Sequence, residues 1–252
     1  MNTTNEARLN VGSTQVPVAS AKTMPNSVSQ IGFWSAVLTS LSSLGYGIAV
    51  IILFVSMMKT ATASSGWQGI EAFVASFQPI QLLPLFPSLI LAPSFTALMV
   101  CIHYYAKEEK KIWSHLGLAF TLIYATMAAI NYMVQLIPVS RSITNGETDG
   151  LAMFVMGNPH SMFWGLTYAY MFMNLAMLFT AQVFVGTPLE KRIRLFFILN
   201  GISIVASLVS IVLDSPPFYL LGSLVFWCPV FIAATAYTAL LFFRSARAGR
   251  TL

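Results

Sequence analysis

The chain has 252 residues, 57% of them hydrophobic and only 8% charged, and its mean hydropathy is +0.75. A soluble domain carries about 25% charged residues, so this chain lacks the polar groups to cover a globular surface in water, and lipid must be its solvent. Its net charge of +5 does not point to nucleic acid, because the basic residues are scattered and only "KEEKK" (107–111) gathers them, too few for a phosphate-tracking face.

Residues 1–30 are rich in Ser, Thr and Asn and contain Pro17 and Pro25. They have too little apolar surface to repay ordering and read as a disordered cytoplasmic tail. Beyond them, apolar runs of about 20 residues mark spanning helices. Six are expected, at 31–58, 80–105, 114–138, 161–186, 193–213 and 218–243. The fold class is therefore all-α: a polytopic membrane bundle of six transmembrane helices at 31–243, closed by a short basic cytoplasmic tail at 244–252. The first run exceeds the core of about 7–15 apolar residues of a signal peptide, and it reads as an uncleaved anchor.

Between the first two spans, "SSGWQGIEAFVASFQ" (64–78) repeats Trp67, Ile70, Val74 and Phe77 at helical spacing, with Phe73 beside them. Ser65 and Gln68 fit a capping box, so a short helix lying on the membrane surface is expected. The second span then opens on "QPIQLLPLFPSLILAPSF" (78–95), with Pro79, Pro84, Pro87 and Pro93. Proline inside a helix removes a donor and costs about 3 kcal/mol or more, and non-helical backbone at membrane depth survives only against protein or a wet cavity. This start is expected to border a polar pocket, with carbonyls near Ile80 and Leu83 paired by Asn131, Gln135 or water.

The next connection, "HYYAKEEKKIWSH" (103–115), sets Tyr104, Tyr105 and Trp113 around a basic loop, as rings sit at headgroup level. His103 and His115 flank it. Imidazole is the commonest metal ligand, but no third ligand accompanies the pair, and they read as interfacial histidines. In the third span Tyr124, Asn131 and Gln135 share a face, with Tyr132 adjacent. "GLAMFVMGNPHS" (150–161) is too short to span and ends at His160 before Trp164 and Tyr168, as an interfacial, re-entrant or plain loop piece. The fifth span carries Asn200, Ser203, Ser207, Ser210 and Asp214 on one face, a stripe that reads as helix packing. "LDSPP" (213–217) then forms a turn capped by Asp214. Cys101 and Cys228 lie in apolar runs and read as free, buried thiols.

Eleven of the thirteen basic residues fall in the first 30 residues, the 106–111 loop, the 187–194 loop and the C-terminal tail, leaving Lys59 and Arg141 for the other side. By the positive-inside rule both termini face the cytoplasm of a cell-membrane protein. Pro84, Pro87, Asn131, Tyr132, Gln135, His160, Trp164, Tyr168 and Asp214 then gather in the outer half, as a candidate pocket. Apart from Arg194 at the very edge of the fifth, no Lys or Arg lies within a span, which excludes a retinal Schiff-base lysine and disfavours a proton pump or voltage sensor.

The six spans divide into two triplets of opposite orientation, but the fifth lacks the prolines of the second, which disfavours a repeat-type transporter. No metal cluster, phosphate loop or nucleophile motif appears, so neither metal nor cofactor is expected. The residues favour a binding, sensing or accessory subunit in the lipid bilayer, with a lipid, small molecule or membrane protein as partner. The alternatives are a transporter component, or an enzyme using His160 and Asp214 as an acid–base pair. The stretches "LAPSFTALMVCIHYYAKEEKKIWSHLGLAF", "INYMVQL" and "GLAMFVMGNPHSMFW" resemble segments of small multi-span prokaryotic integral membrane proteins with no assigned activity. That resemblance, over about residues 85–170, implies no catalytic residue and no cofactor, and it links the third span with "NPHS".

The charge asymmetry is tested by single-cysteine labelling in a chain carrying Cys101→Ala and Cys228→Ala. Gly66→Cys and Thr148→Cys should react with an impermeant maleimide on intact cells, while Glu109→Cys and Ala246→Cys react only after permeabilisation. The reverse pattern would overturn the orientation.

Overall fold

The computed structural model describes residues 24–59, 66–213 and 227–248. Among these residues every regular element is helical. Six stretches are long and apolar enough to cross a membrane: Asn26–Met58, Pro79–Tyr105, Glu108–Asn145, Met162–Val183, Pro188–Val212 and Cys228–Ala248, here the first to sixth spans. The all-helical, six-span expectation is met, with shifted bounds. The first helix begins at Asn26, where the Ser29 N–H reaches the Pro25 carbonyl at 3.2 Å. At the other end, Arg244 and Arg247 are still helical. The "LDSPP" turn lies outside the described residues.

Three of the four prolines of the second span fall where a helix start has N–H groups to spare. Pro79 opens a 3-10 turn at Pro79–Leu82, Pro84 stands at the N-cap, and Pro87 lies in the first turn of the helix Leu85–Tyr105. Only Pro93 is inside a helix. The Ile80 carbonyl accepts from the Leu83 N–H at 3.1 Å, so a local turn provides the partner expected from Asn131 or Gln135. The third span does not stop at Pro138. Its missing N–H is absorbed by a π-helical turn, Gln135–Val139, in which the Ser140 N–H donates to the Gln135 carbonyl. The helix resumes at Ser140–Asn145 and ends at Gly146, whose φ of 73° suits glycine. Glu147 N–H to Ser142 C=O at 2.8 Å and Gly146 N–H to Ile143 C=O at 3.2 Å complete a Schellman motif.

Each span packs on its chain neighbours and the first also packs on the sixth, so the six helices form a closed ring. Hydroxyl contacts line the seams: Thr39 donates to Ser94 at 3.1 Å between first and second spans, and Ser40 and Thr235 meet at 2.7 Å between first and sixth. The polar stripe of the fifth span turns to the fourth, with Asn200 Nδ2 donating to Asn174 Oδ1 at 2.9 Å and Ser210 within 3.4 Å of the Tyr168 hydroxyl. Such bonds average only about 0.6 kcal/mol each in membranes.

Aromatic packing contributes more, at about 0.5–1.5 kcal/mol per pair beyond area burial. Trp227, Tyr170, Tyr124, Phe95 and Phe231 form a closed circuit of ring contacts, with successive centroids 5.2, 5.5, 6.1, 5.5 and 5.1 Å apart. These residues come from the second, third, fourth and sixth spans and their immediate edges, and the circuit fills the middle of the helix ring. Cys101 and Cys228 are free and buried, as expected.

At the end carrying the 106–110 connection, the Tyr105 hydroxyl donates to the carboxylate of Glu190 at 2.6 Å. Glu190 also completes a capping box with Thr187 at the start of the fifth span and is buried. This clasp joins the second span to the fifth across the ring.

Gly117 marks the closest approach of the third and fourth spans: a Cβ there would collide with the Thr180 hydroxyl and lie 3.0 Å from the Ala176 carbonyl. Gly117→Ala should lower stability by about 1–3 kcal/mol through overpacking, read as a lower Tm in detergent, and Thr180→Ala in the same chain should recover part of the loss. An unchanged Tm for the single variant would refute this close packing.

Candidate functional site

At the end of the bundle away from the Tyr105–Glu190 clasp, the chain builds a cleft from its connections. The surface helix between the first two spans is shorter than expected, Ile70–Ser76. It starts after Gly69, whose φ of 98° only glycine adopts without strain, so Gln68 precedes the helix and no side chain caps it. The capping box is therefore not formed, and Ser65 lies outside the described residues. Trp67, Phe73 and Phe77 form a run of ring contacts at 5.7 and 6.0 Å. Trp67, Ile70 and Phe73 pack on Val139, Leu151 and Val155, so this apolar face docks on the protein.

The 150–161 segment is a chain of tight turns, held by side chains placed for the purpose. Asn158 Nδ2 donates to the Ala152 carbonyl at 2.8 Å while its Oδ1 accepts from the His160 N–H at 3.0 Å. Ser161 Oγ donates to the Val155 carbonyl at 2.7 Å and caps the helix at Met162 by accepting from the Trp164 N–H at 3.0 Å. Gln135, turned inward by the π-helical turn, bridges this segment to the third span: its Nε2 donates to the Phe154 carbonyl at 2.8 Å and its Oε1 accepts from the Met156 N–H at 3.0 Å.

These parts enclose a cleft of about 480 Å³. Leu53 and Met57 of the first span, Phe73 and Phe77 of the surface helix, and Leu82 and Leu85 of the second span form apolar walls. Gln68, Ser76, Gln81 and Gln135 add uncharged polar atoms, and Gln81 Nε2 is spent on the Ser76 carbonyl at 3.3 Å. Among the described residues no Asp, Glu, Lys, Arg or His lines the cleft.

Of the residues expected to gather here, Gln135 and Trp164 line the cleft. Tyr168 stands beside Trp164, ring centroids 6.4 Å apart. Tyr132 turns into the bundle, its hydroxyl 2.9 Å from that of Tyr170. Asn131 is buried and its Oδ1 has no partner. Pro84 and Pro87 shape the helix start without lining the cleft; Pro87 faces Gly45 of the first span. His160 is exposed beside the lining residue Pro159. Asp214 lies outside the described residues. Sequence reading missed Trp67, Phe73, Phe77 and Gln81 as site residues; their helical spacing was visible, but its target was not. Among the described residues, no three or more His, Cys, Asp or Glu are grouped to hold a metal ion.

Gln135→Leu keeps the volume but strips the Phe154 carbonyl and the Met156 N–H of their partners. An unsatisfied buried group costs about 1–3 kcal/mol, so the Met156 amide should exchange hydrogen faster than in the wild type and Tm should fall. Unaltered exchange at Met156 would show that the bridge is dispensable.

Comparison with protein-family models, with curated proteins and with solved structures gives no match for this chain.

Proposed function

We propose that this multi-pass membrane protein is a binding, sensing or accessory subunit of the cell membrane, with both termini cytoplasmic and the cleft facing outward. The ligand is an uncharged lipid or small molecule whose apolar body lies between the surface helix and the second span. One observation carries the reading: a cleft of about 480 Å³ is walled by aromatic and aliphatic side chains of several segments and, among the described residues, carries only neutral polar groups. Ligand sites are commonly apolar, with a few placed polar atoms, and of about 300–1,000 Å³. The Gln135 bridge and the Asn158 and Ser161 turns support the reading, since a preformed wall lowers the ordering cost of binding.

Native mass spectrometry of the full chain, purified in detergent from its membrane, tests it. The wild type should retain a neutral amphiphile as an adduct. Ala72→Trp, at an exposed surface-helix position that lines the cleft, should fill the cleft and remove the adduct at normal yield. A wild type with no adduct, or the same adduct on the variant, would refute the reading.

A further inference from the structure

We infer that His103 and His115, at the clasp end of the bundle, hold one transition-metal ion between the second and third spans, oriented by Ser114. His103 lies in the last turn of its helix and His115 near the start of the next, and the connection between them folds the two rings together. Their centroids are 4.2 Å apart with the planes tilted by 37°. The pair therefore has a contact that its sequence spacing alone does not reveal.

The hydrogen bonds around Ser114 decide which nitrogen of His103 is free. Ser114 is 1% exposed, and its hydroxyl donates to the Lys111 carbonyl at 2.9 Å. With that proton committed, Ser114 Oγ faces His103 Nδ1 at 2.8 Å with lone pairs only. The hydrogen is thus assigned to His103 Nδ1, and Nε2 keeps its lone pair for a ligand. A metal-binding histidine is normally held in this way, with one ring nitrogen donating to a fixed oxygen and the other on the metal.

His115 is exposed, so its ring can turn toward the same point. A four-coordinate ion with metal–nitrogen bonds of about 2.0–2.1 Å holds two imidazole nitrogens about 3.3 Å apart, which rings at this separation reach with small rotations. Lys111, one helical turn before His115, is the ammonium beside the pair, and its charge is offset by Glu108 at 2.6 Å. Two neutral imidazoles select copper, zinc or nickel over magnesium or calcium, which prefer oxygen. Water fills the remaining positions. The site is independent of the cleft at the opposite end.

The test is calorimetric titration of the untagged full chain in detergent with copper(II) sulfate and zinc chloride in a non-coordinating buffer. One ion per chain is expected, with copper tighter than zinc, and with imidazole nitrogen couplings in the copper spectrum by electron paramagnetic resonance. His115→Ala removes an exposed ring and should abolish binding. Ser114→Ala keeps both imidazoles and should weaken binding about 10–100-fold, the usual effect of losing an orienting partner. His160→Ala, removing the third of the three histidines, should change nothing. No binding of either ion to the wild type, or wild-type affinity in His115→Ala, overturns the proposal. Wild-type affinity in Ser114→Ala overturns the orienting role.

Discussion

Hydrocarbon offers no hydrogen bonds, so a backbone group left unpaired at membrane depth costs several kcal/mol. Most local features of this chain answer that constraint. Pro79, Pro84 and Pro87 of the second span stand at helix starts, where N–H groups are surplus, and Pro138 is absorbed by a widened turn that keeps the chain paired through to Asn145. The Schellman motif at Gly146 and the Thr187–Glu190 capping box close helix ends with the chain's own groups.

The two ends of the bundle use polar residues differently. At the clasp end a buried carboxylate accepts from a phenol and from the Thr187 N–H, and an imidazole pair lies at the same end. At the cleft end no ionisable side chain lines the opening among the described residues, and one amide, Gln135, holds the 154–156 turn against the third span. The imidazole pair and the Gln135 bridge thus stand some six helical turns apart along the third span, between His115 and Gln135, at 3.6 residues per turn.

Much of this was legible in the sequence because lipid filters it coarsely. Apolar runs of about 20 residues leave few alternatives to spanning helices, and the number of spans follows, while several of their bounds shift. Proline bounds were less legible: Pro138 reads as a stop in water-based rules, whereas in a membrane the pairing requirement carries the helix on. The order of the ring was not legible either, since lipid-facing and protein-facing surfaces are both apolar. Gln135 was visible as a costly polar residue, but its partners at 154 and 156 lie in a loop whose turns depend on Asn158 and Ser161. The apolar stripe of the 66–77 segment was clear, and only the fold shows that it docks on Val139 and Val155.

The contact between the first and sixth spans has a consequence for biosynthesis. Ser40 with Thr235, the Cys228 thiol on the Ser43 carbonyl, and the fit of Gly32 against the Phe242 ring all join segments separated by most of the chain. Membrane helices insert first and associate afterwards, so this seam cannot form until the last span has left the ribosome. Until then the ring stands open beside the first span, and the Trp227 and Phe231 rings that complete its aromatic centre are still to come. A nascent chain that stalls before the sixth span therefore presents the first span's half of this seam, Gly32, Ser40 and the Ser43 carbonyl, to lipid or to a chaperone of the insertion machinery.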